Sequence, residues 1–376
     1  MHVVYFMATI GGIFSHYQRC VNYKALAKFA DFGGISGRTN LGAWTSYRLR
    51  LRRKGWHLRA RRKSRELSVV KDRTSQIKPN DILVFCTFRN EDIRLPYFFK
   101  YYRDLGIDHF IMVDNDSDDD GGDYAANQPD VSIWKAKGSY RRSRFGVDWL
   151  NHLQRKYADG HWTLVVDPDE FFVYPFCDTR PVRALTDWLD ASDIRSFGAM
   201  LLDMYPKGRL DAVPYQRGQD PMEIASWFDS GNYTILKNNL YYNLWIQGGP
   251  RTRMFFKDEP WRAPALNKTP LVKWKKNYAY VSSTHMLLPR GLNIVYDEWG
   301  GEKASGVLLH AKFLDTFGVK AAEEIARGQH YAGSQEYKAY ADGISKHPDL
   351  WCKWSEKYIN WRQLEILGLM SKGNWA

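Results

Sequence analysis

The chain has 376 residues, 15% of them aromatic, and a formal net charge of +12. That length suits one α/β catalytic domain with additions at both ends. Its cysteines, Cys20, Cys86, Cys177 and Cys352, are far apart and form no C-x-x-C pair, which excludes a disulfide framework or structural zinc site and points to a reducing, cytosolic compartment.

The N-terminus is apolar from Val3 to Phe14 without a preceding basic segment. It reads poorly as a signal peptide and is short of the ~20 apolar residues a bilayer needs. The expectation is a soluble or peripheral protein. Residues 48–65 hold ten Arg or Lys and no acid, so the positive charge is local. Trp44 to Leu58 reads as a helix with aromatic and leucine side chains among the arginines. Such a segment fits an in-plane helix on the anionic, cytosolic face of a membrane, or a strap packed on the body with its charges outward. Nucleic acid is the poorer partner, because no base-reading module accompanies the run.

Residues 1–80 therefore read as an N-terminal basic extension, 81–312 as the catalytic body and 313–376 as a C-terminal helical segment. The body opens on a strand, Ile82 to Thr87. A helix follows over about 92–105, with Leu95, Phe98, Phe99 and Tyr102 on one face and Gly106 as its C-cap. His109 to Val113 is a second strand, ending in an acidic loop with five Asp between 114 and 120. A short strand near 131–134, a helix over 144–157 and an apolar strand, Trp162 to Val166, complete the alternation. This pattern predicts an α/β fold whose ligands bind outside the carboxyl ends of the strands. The polar clusters lie at those ends.

Asp167-Pro168-Asp169 offers two carboxylates where a strand stops, and they can converge on Mg²⁺ or Mn²⁺. A solvated acidic turn is the bland alternative. Asp114, Asn115 and Asp116 can receive a base N–H or ribose hydroxyls, or form a plain Asx turn. Arg89 suits phosphate, and Asn90 suits helix capping. His310 ends an apolar strand and can ligate Mn²⁺, although a satisfied core histidine has the same signature. His285 is a weaker case of the same kind. Arg251 and Arg253 alternate in a strand or loop after two glycines, as a diphosphate clamp or as surface charge.

Taken in order, Thr87-Phe88-Arg89-Asn90-Glu91, Asp104 to Asp108, Val113 to Ser117, Trp162 to Phe172, Gly248 to Arg253, Asn267 to Trp274 and Leu308 to Phe313 resemble family 2-type glycosyltransferases of a bacterial subgroup with a DxDEF metal motif. The resemblance covers roughly residues 80–360. It implies a GT-A-like open mixed sheet flanked by helices and a nucleotide-sugar donor, UDP- or GDP-linked. Thr87, Arg89 and Asp114 to Asp116 would face the nucleotide. Asp167 would meet both metal and diphosphate, Asp169 and His310 the metal, and Lys268 or Lys312 phosphate charge. Asn115 stands where the family often has a second Asp. The resemblance also implies inversion, which needs a carboxylate base on the acceptor hydroxyl. Asp203, ending the strand 197–202, ranks first, with Asp258 and Glu259 after it. The acceptor implied is a glycan or lipid-linked hydroxyl in surface polysaccharide or lipopolysaccharide assembly.

Two rivals remain. A sugar nucleotidyltransferase usually carries a Gly-rich, basic phosphate loop after its first strand, where this chain has Phe88-Arg89-Asn90-Glu91. A non-catalytic polyanion- or carbohydrate-binding module would rely on residues 48–65 and the aromatics.

Overall fold

The computed structural model describes residues 4–5, 42–296, 303–327 and 349–375. Apart from Val4–Tyr5, the apolar segment 3–14 lies outside them. The centre is a nine-stranded sheet built from β1 (Leu67–Lys71), β2 (Ile82–Phe88), β3 (His109–Asp114), β4 (Val131–Ala136), β5 (Trp162–Val165), β6 (Glu170–Val173), β7 (Ser196–Asp203), β8 (Asn267–Lys273) and β9 (Gly306–His310). Their order is β1-β4-β3-β2-β5-β8-β7-β9-β6. The four strands β4-β3-β2-β5 are mutually parallel. Antiparallel β8 joins β5 to β7, β9 lies parallel to β7, and β6 returns antiparallel to β9. The fold is the mixed α/β sheet flanked by helices that the sequence predicts.

Alternation in β2 shows why helices cover both faces. Ile82, Val84, Cys86 and Phe88 share a core with Leu95, Phe98, Phe99 and Tyr102 of α2 (Leu95–Asp104). Leu83 and Phe85 pack instead with Trp149, Leu150 and Leu153 of α3 (Val147–Tyr157). α2 ends at Gly106, whose φ of +93° is one that only glycine adopts without strain.

The basic segment forms α1 (Ala43–Lys63), longer than its pattern indicated. Arg59 Nε meets the fully buried Asp148 of α3 at 2.7 Å, and Trp56 stacks on Arg144 at 4.0 Å. The extension also contributes β1, antiparallel to β4 at the sheet edge. At the other end, the segment expected to be helical has a helix at Phe317–Arg327 (α4) but also a strand, Ser355–Lys357, pairing with Trp227–Asp229. Among the described residues, no helix is long and apolar enough to cross a membrane.

Candidate functional site

The parallel strands set the position of the site. β3 and β4 follow on one side of β2, and β5 lies on its other side. The order in which strands are added thus switches sides between β2 and β5, where α/β sheets open a crevice beyond the strand ends. A cleft, partly open to solvent, lies there. Thr87 of β2, with Val166 and Asp167 after β5, lines one side, and Tyr140 and Phe145 before α3 line another. Tyr280 and Thr284, from the hairpin Ala279–Ser282 and Met286–Leu288, close a third. The hydroxyls of Thr87 and Thr284 are buried without a hydrogen-bond partner. Such groups are costly in a finished core and ordinary where a ligand completes them.

The approach to α3 is strained on this side. Arg144, Phe145 and Gly146 all have positive φ, +55°, +59° and +77°. The turn is held by Arg144, which bonds Asp148 Oδ1 through Nε at 2.8 Å and donates to Val281 O at 2.8 Å. A Cβ on Gly146 would lie 2.7 Å from Thr87 Oγ1, so the close approach needs glycine.

Next to the cleft, adjacent strand ends assemble charged groups. Asp203 of β7 and Glu170 of β6 both register with His310 of β9. His310 Nδ1 is 2.6 Å from Asp203 Oδ1, and its Nε2 is 3.3 Å from Asp169 Oδ2. Arg251 Nε holds the other oxygen of Asp203 at 2.7 Å. Burial disfavours the charge on Asp203, but Arg251 and His310 outweigh it and hold the carboxyl below the usual range. Asp169 is likewise opposed by burial and pulled down by His310, then by Arg94 and Lys320. His310 is opposed by burial and raised by the two carboxylates. Since Asp203 stays ionised, it can only accept, so His310 carries a proton on Nδ1 and directs Nε2 at Asp169.

Asp169, Glu170 and His310 offer three donor atoms within 4.8 Å of one another. Two oxygens and one imidazole nitrogen suit Mn²⁺, and an outer carboxylate orienting the imidazole is the usual support of a metal-bound histidine. The donor chemistry therefore fits a divalent cation. Of the residues expected around the metal, Asp169 and His310 come together. Asp167 stands apart, and Glu170 takes the third place. Asp167 has a side chain 51% open to the cleft, 3.7 Å from Lys268 Nζ. Enclosing protein and then Glu170 push its carboxyl up against the pull of Lys268, and solvent on the open side tempers the shift.

Several expected nucleotide contacts are occupied within the protein. Arg89 donates to the carbonyls of Asn115 and Asp116, to Asp118 at 2.5 Å and to Glu323 of α4 at 3.2 Å. Asp114 Oδ1 accepts from the Ser117 backbone and hydroxyl at 2.9 and 2.6 Å, which closes the loop locally three residues on. Asn115 bonds the carbonyls of Ala136 and Gly138, and Asp116 pairs with Lys135 at 3.1 Å. The acidic loop thus spends polar groups on itself, on Arg89, on Lys135 and on the backbone at the end of β4. Asn90 does not cap α2. It accepts from the Asp118 amide at 2.8 Å and donates to Glu323 at 2.9 Å. Lys268 is buried against Glu170 and also lines the cleft. Burial lowers its pKa, but Glu170 and Asp167 raise it further and keep it charged. Lys312 is half-buried, 5.8 Å over the Phe317 ring. His285 is half-buried with its Nδ1 bonded to Asn267 O at 2.6 Å, and burial lowers its pKa to about 4.

No family model and no curated protein matches this sequence. Solved structures give slight likenesses. A 4-diphosphocytidyl-2C-methyl-D-erythritol synthase is 17% identical, with 37% of this chain and 66% of that one covered and a TM-score of 0.22. HddC from Yersinia pseudotuberculosis is 10% identical, with 59% and 82% covered and a TM-score of 0.26. A Bacillus anthracis protein described as a glucose-1-phosphate thymidylyltransferase, in complex with a sucrose, is 10% identical, with 70% and 84% covered and a TM-score of 0.23. Likeness of this extent carries no argument about chemistry.

The candidate bases need revision on geometry alone. Asp203 is 2% exposed with both oxygens engaged, so it is a positioning residue for His310 and presents no free oxygen to an acceptor. Asp258 and Glu259 are exposed on the loop after the helix Gly249–Phe255, and Glu259 pairs with Arg262. Arg251 and Arg253 lie on that helix, not on a strand or loop. Two residues apart on a helix point about 200° away from each other. Arg251 accordingly turns to Asp203, while Arg253 grips Asp229 at 2.7 and 3.0 Å. They form no common clamp.

Proposed function

We propose that the chain is a metal-dependent glycosyltransferase that moves a sugar from a nucleotide sugar to a hydroxyl of a glycan or lipid-linked acceptor. The observation that carries this reading is the His310 imidazole, oriented by Asp203 toward Asp169 beside a cleft whose two threonine hydroxyls lack partners. Asp169 and His310, with Glu170, would hold Mn²⁺ or Mg²⁺. A divalent cation supplies positive charge against a leaving nucleoside diphosphate. Lys268 stays protonated at the cleft edge, where it holds Glu170 and faces Asp167. Thr87 and Thr284 offer hydrogen bonds to a nucleoside seated between Tyr140, Phe145 and Tyr280. Asp167, the ionisable group most open to this cleft beside the cluster, replaces Asp203 as the carboxylate to test for direct contact with donor or acceptor.

The second reading is sugar nucleotidyl transfer, the kind of activity in the description of one similar structure. The loop after β2 speaks against it, because its arginine is committed to the acidic loop and Glu323. Calorimetry with UDP and GDP, with and without Mn²⁺, on the wild type and Asp169→Ala tests both. Metal-dependent diphosphate binding that vanishes in the variant supports glycosyl transfer. Binding of nucleoside triphosphate and sugar 1-phosphate, with pyrophosphate released, supports the second reading. No binding of either set refutes both.

A further inference from the structure

α1 carries two different apolar faces. Leu49, Trp56 and Ala60 turn inward, onto α3 and the 279–288 hairpin. Trp44, Tyr47, Leu51 and Leu58 are 68%, 49%, 46% and 51% exposed. At 3.6 residues per turn these four fall within an arc of about 60°, roughly opposite the buried face. Trp44 and Tyr47 stack there with ring centroids 5.8 Å apart. Arg48, Arg50, Lys54, Arg61 and Arg62 lie exposed beside or within the same stripe. Residues 43–63 contain no acid.

A solvated strap needs neither the aromatics nor the leucines on its outer face. A protein partner would have to meet the apolar line and an uninterrupted positive charge at once. A bilayer with anionic headgroups does both over the length of a helix: acyl boundary for the stripe, negative surface for its flanks. We propose that the outer face of α1 docks the protein in-plane on an anionic membrane surface, with Trp44, Tyr47, Leu51 and Leu58 inserted. The inner face is fixed to the body by Arg59 on Asp148 and Trp56 on Arg144. Arg144 immediately precedes Phe145 of the cleft wall. Docking therefore places the Phe145 wall of the cleft on the far side of α1 from the lipid, at least one helix diameter, ~10 Å, away. The docking surface itself does not depend on the proposed chemistry.

The test is co-sedimentation of the full chain with vesicles of phosphatidylcholine alone and of phosphatidylcholine with phosphatidylglycerol. Two variants accompany the wild type: Trp44→Ser/Tyr47→Ser/Leu51→Ser/Leu58→Ser, and Arg48→Gln/Lys54→Gln/Arg61→Gln/Arg62→Gln. All eight side chains are exposed, and unchanged thermal unfolding verifies that both variants fold. The expected result is binding to the anionic vesicles only, weakened by salt. The partition constant falls at least about tenfold in the charge variant, and it falls in the apolar variant too. The proposal is overturned by absence of binding to anionic vesicles. It is equally overturned by binding that the apolar variant leaves intact, which is adsorption by charge alone. A concentration-dependent dimer in light scattering that the apolar variant abolishes would assign the stripe to a second copy and also overturn it.

Discussion

Replacing Asp203 with Asn tests the core of the site with a change of a single atom. Asp203 accepts from Arg251 at 2.7 Å and from His310 at 2.6 Å. An amide of the same shape has one acceptor and one donor arm. Arginine does not give up its protons, so the amide oxygen stays with Arg251 and the NH₂ arm turns to His310. The imidazole must then accept at Nδ1 and carry its proton on Nε2, the atom 3.3 Å from Asp169. Nε2 loses the lone pair a cation needs. Loss of such an outer-shell orienting group typically weakens metal affinity 10–100-fold, about 1.4–2.7 kcal/mol at 25 °C. Electron paramagnetic resonance of free Mn²⁺ during titration gives the affinity, and ¹⁵N shifts of the imidazole give the tautomer. An Asp203→Asn protein that binds Mn²⁺ within twofold of the wild type, or keeps its proton on Nδ1, would refute the reasoning.

Thr87→Val and Thr284→Val remove hydroxyls that lack partners, so each should leave thermal stability unchanged or slightly raised while weakening nucleotide binding by about 0.5–1.5 kcal/mol, read by calorimetry. Asp148→Ala leaves Arg59 and Arg144 without their buried carboxylate; about 3–5 kcal/mol of destabilisation is expected, seen as a lowered denaturant midpoint. In metal-free protein, His310 is raised above its ordinary 6.5 and so stabilises fully below that value and less as pH rises through its folded pKa. Asp169 and Asp203 are lowered from 3.8 and so stabilise above that value and less as pH falls through their folded pKa values. The cluster's contribution is therefore complete between about pH 3.8 and 6.5; urea melts across this range should show it, and His310→Ala should flatten the alkaline side. Mn²⁺ competes with that same proton, so its affinity should rise with pH through the folded pKa of His310.

The parallel half of the sheet was legible because its strands are long apolar runs and its first helix has an unbroken 3.6-residue period ending in glycine. Asp169 and His310 were legible because each follows such a run, and the chemistry of strand ends is local. Asp203 was found for the same reason and given a different role, since nothing in its own segment reveals that Arg251 and His310 arrive from 48 and 107 residues away. The helix at Gly249–Phe255 was hidden by its Gly-Gly-Pro opening, a string that reads as loop. Arg89 and the acidic loop share a simple ambiguity: a cation and a carboxylate cluster at neighbouring strand ends suit a ligand as well as they suit each other. Glu170 stood next to the metal pair in the sequence, and only the return of β6 beside β9 brings it to His310.

The row Asp203, His310, Glu170 has a consequence for the order in which the molecule is made. Among the cleft's strands, β2 pairs with β3 across 26 residues and with β5 across 80. The imidazole reaches its carboxylate only after a loop of 107 residues closes, and contacts of that separation form late when folding starts from local structure. Tyr280 and Thr284 of the cleft arrive over a comparable span, Tyr280 bonding Asn151 across 129 residues, so during refolding a nucleoside signal and a Mn²⁺ signal should recover together, after the parallel strands have formed. Both sites would then report the last stage of assembly, and a chain interrupted before Gly306 would keep the carboxylates of Asp169 and Glu170 but lack the imidazole that completes the cation site.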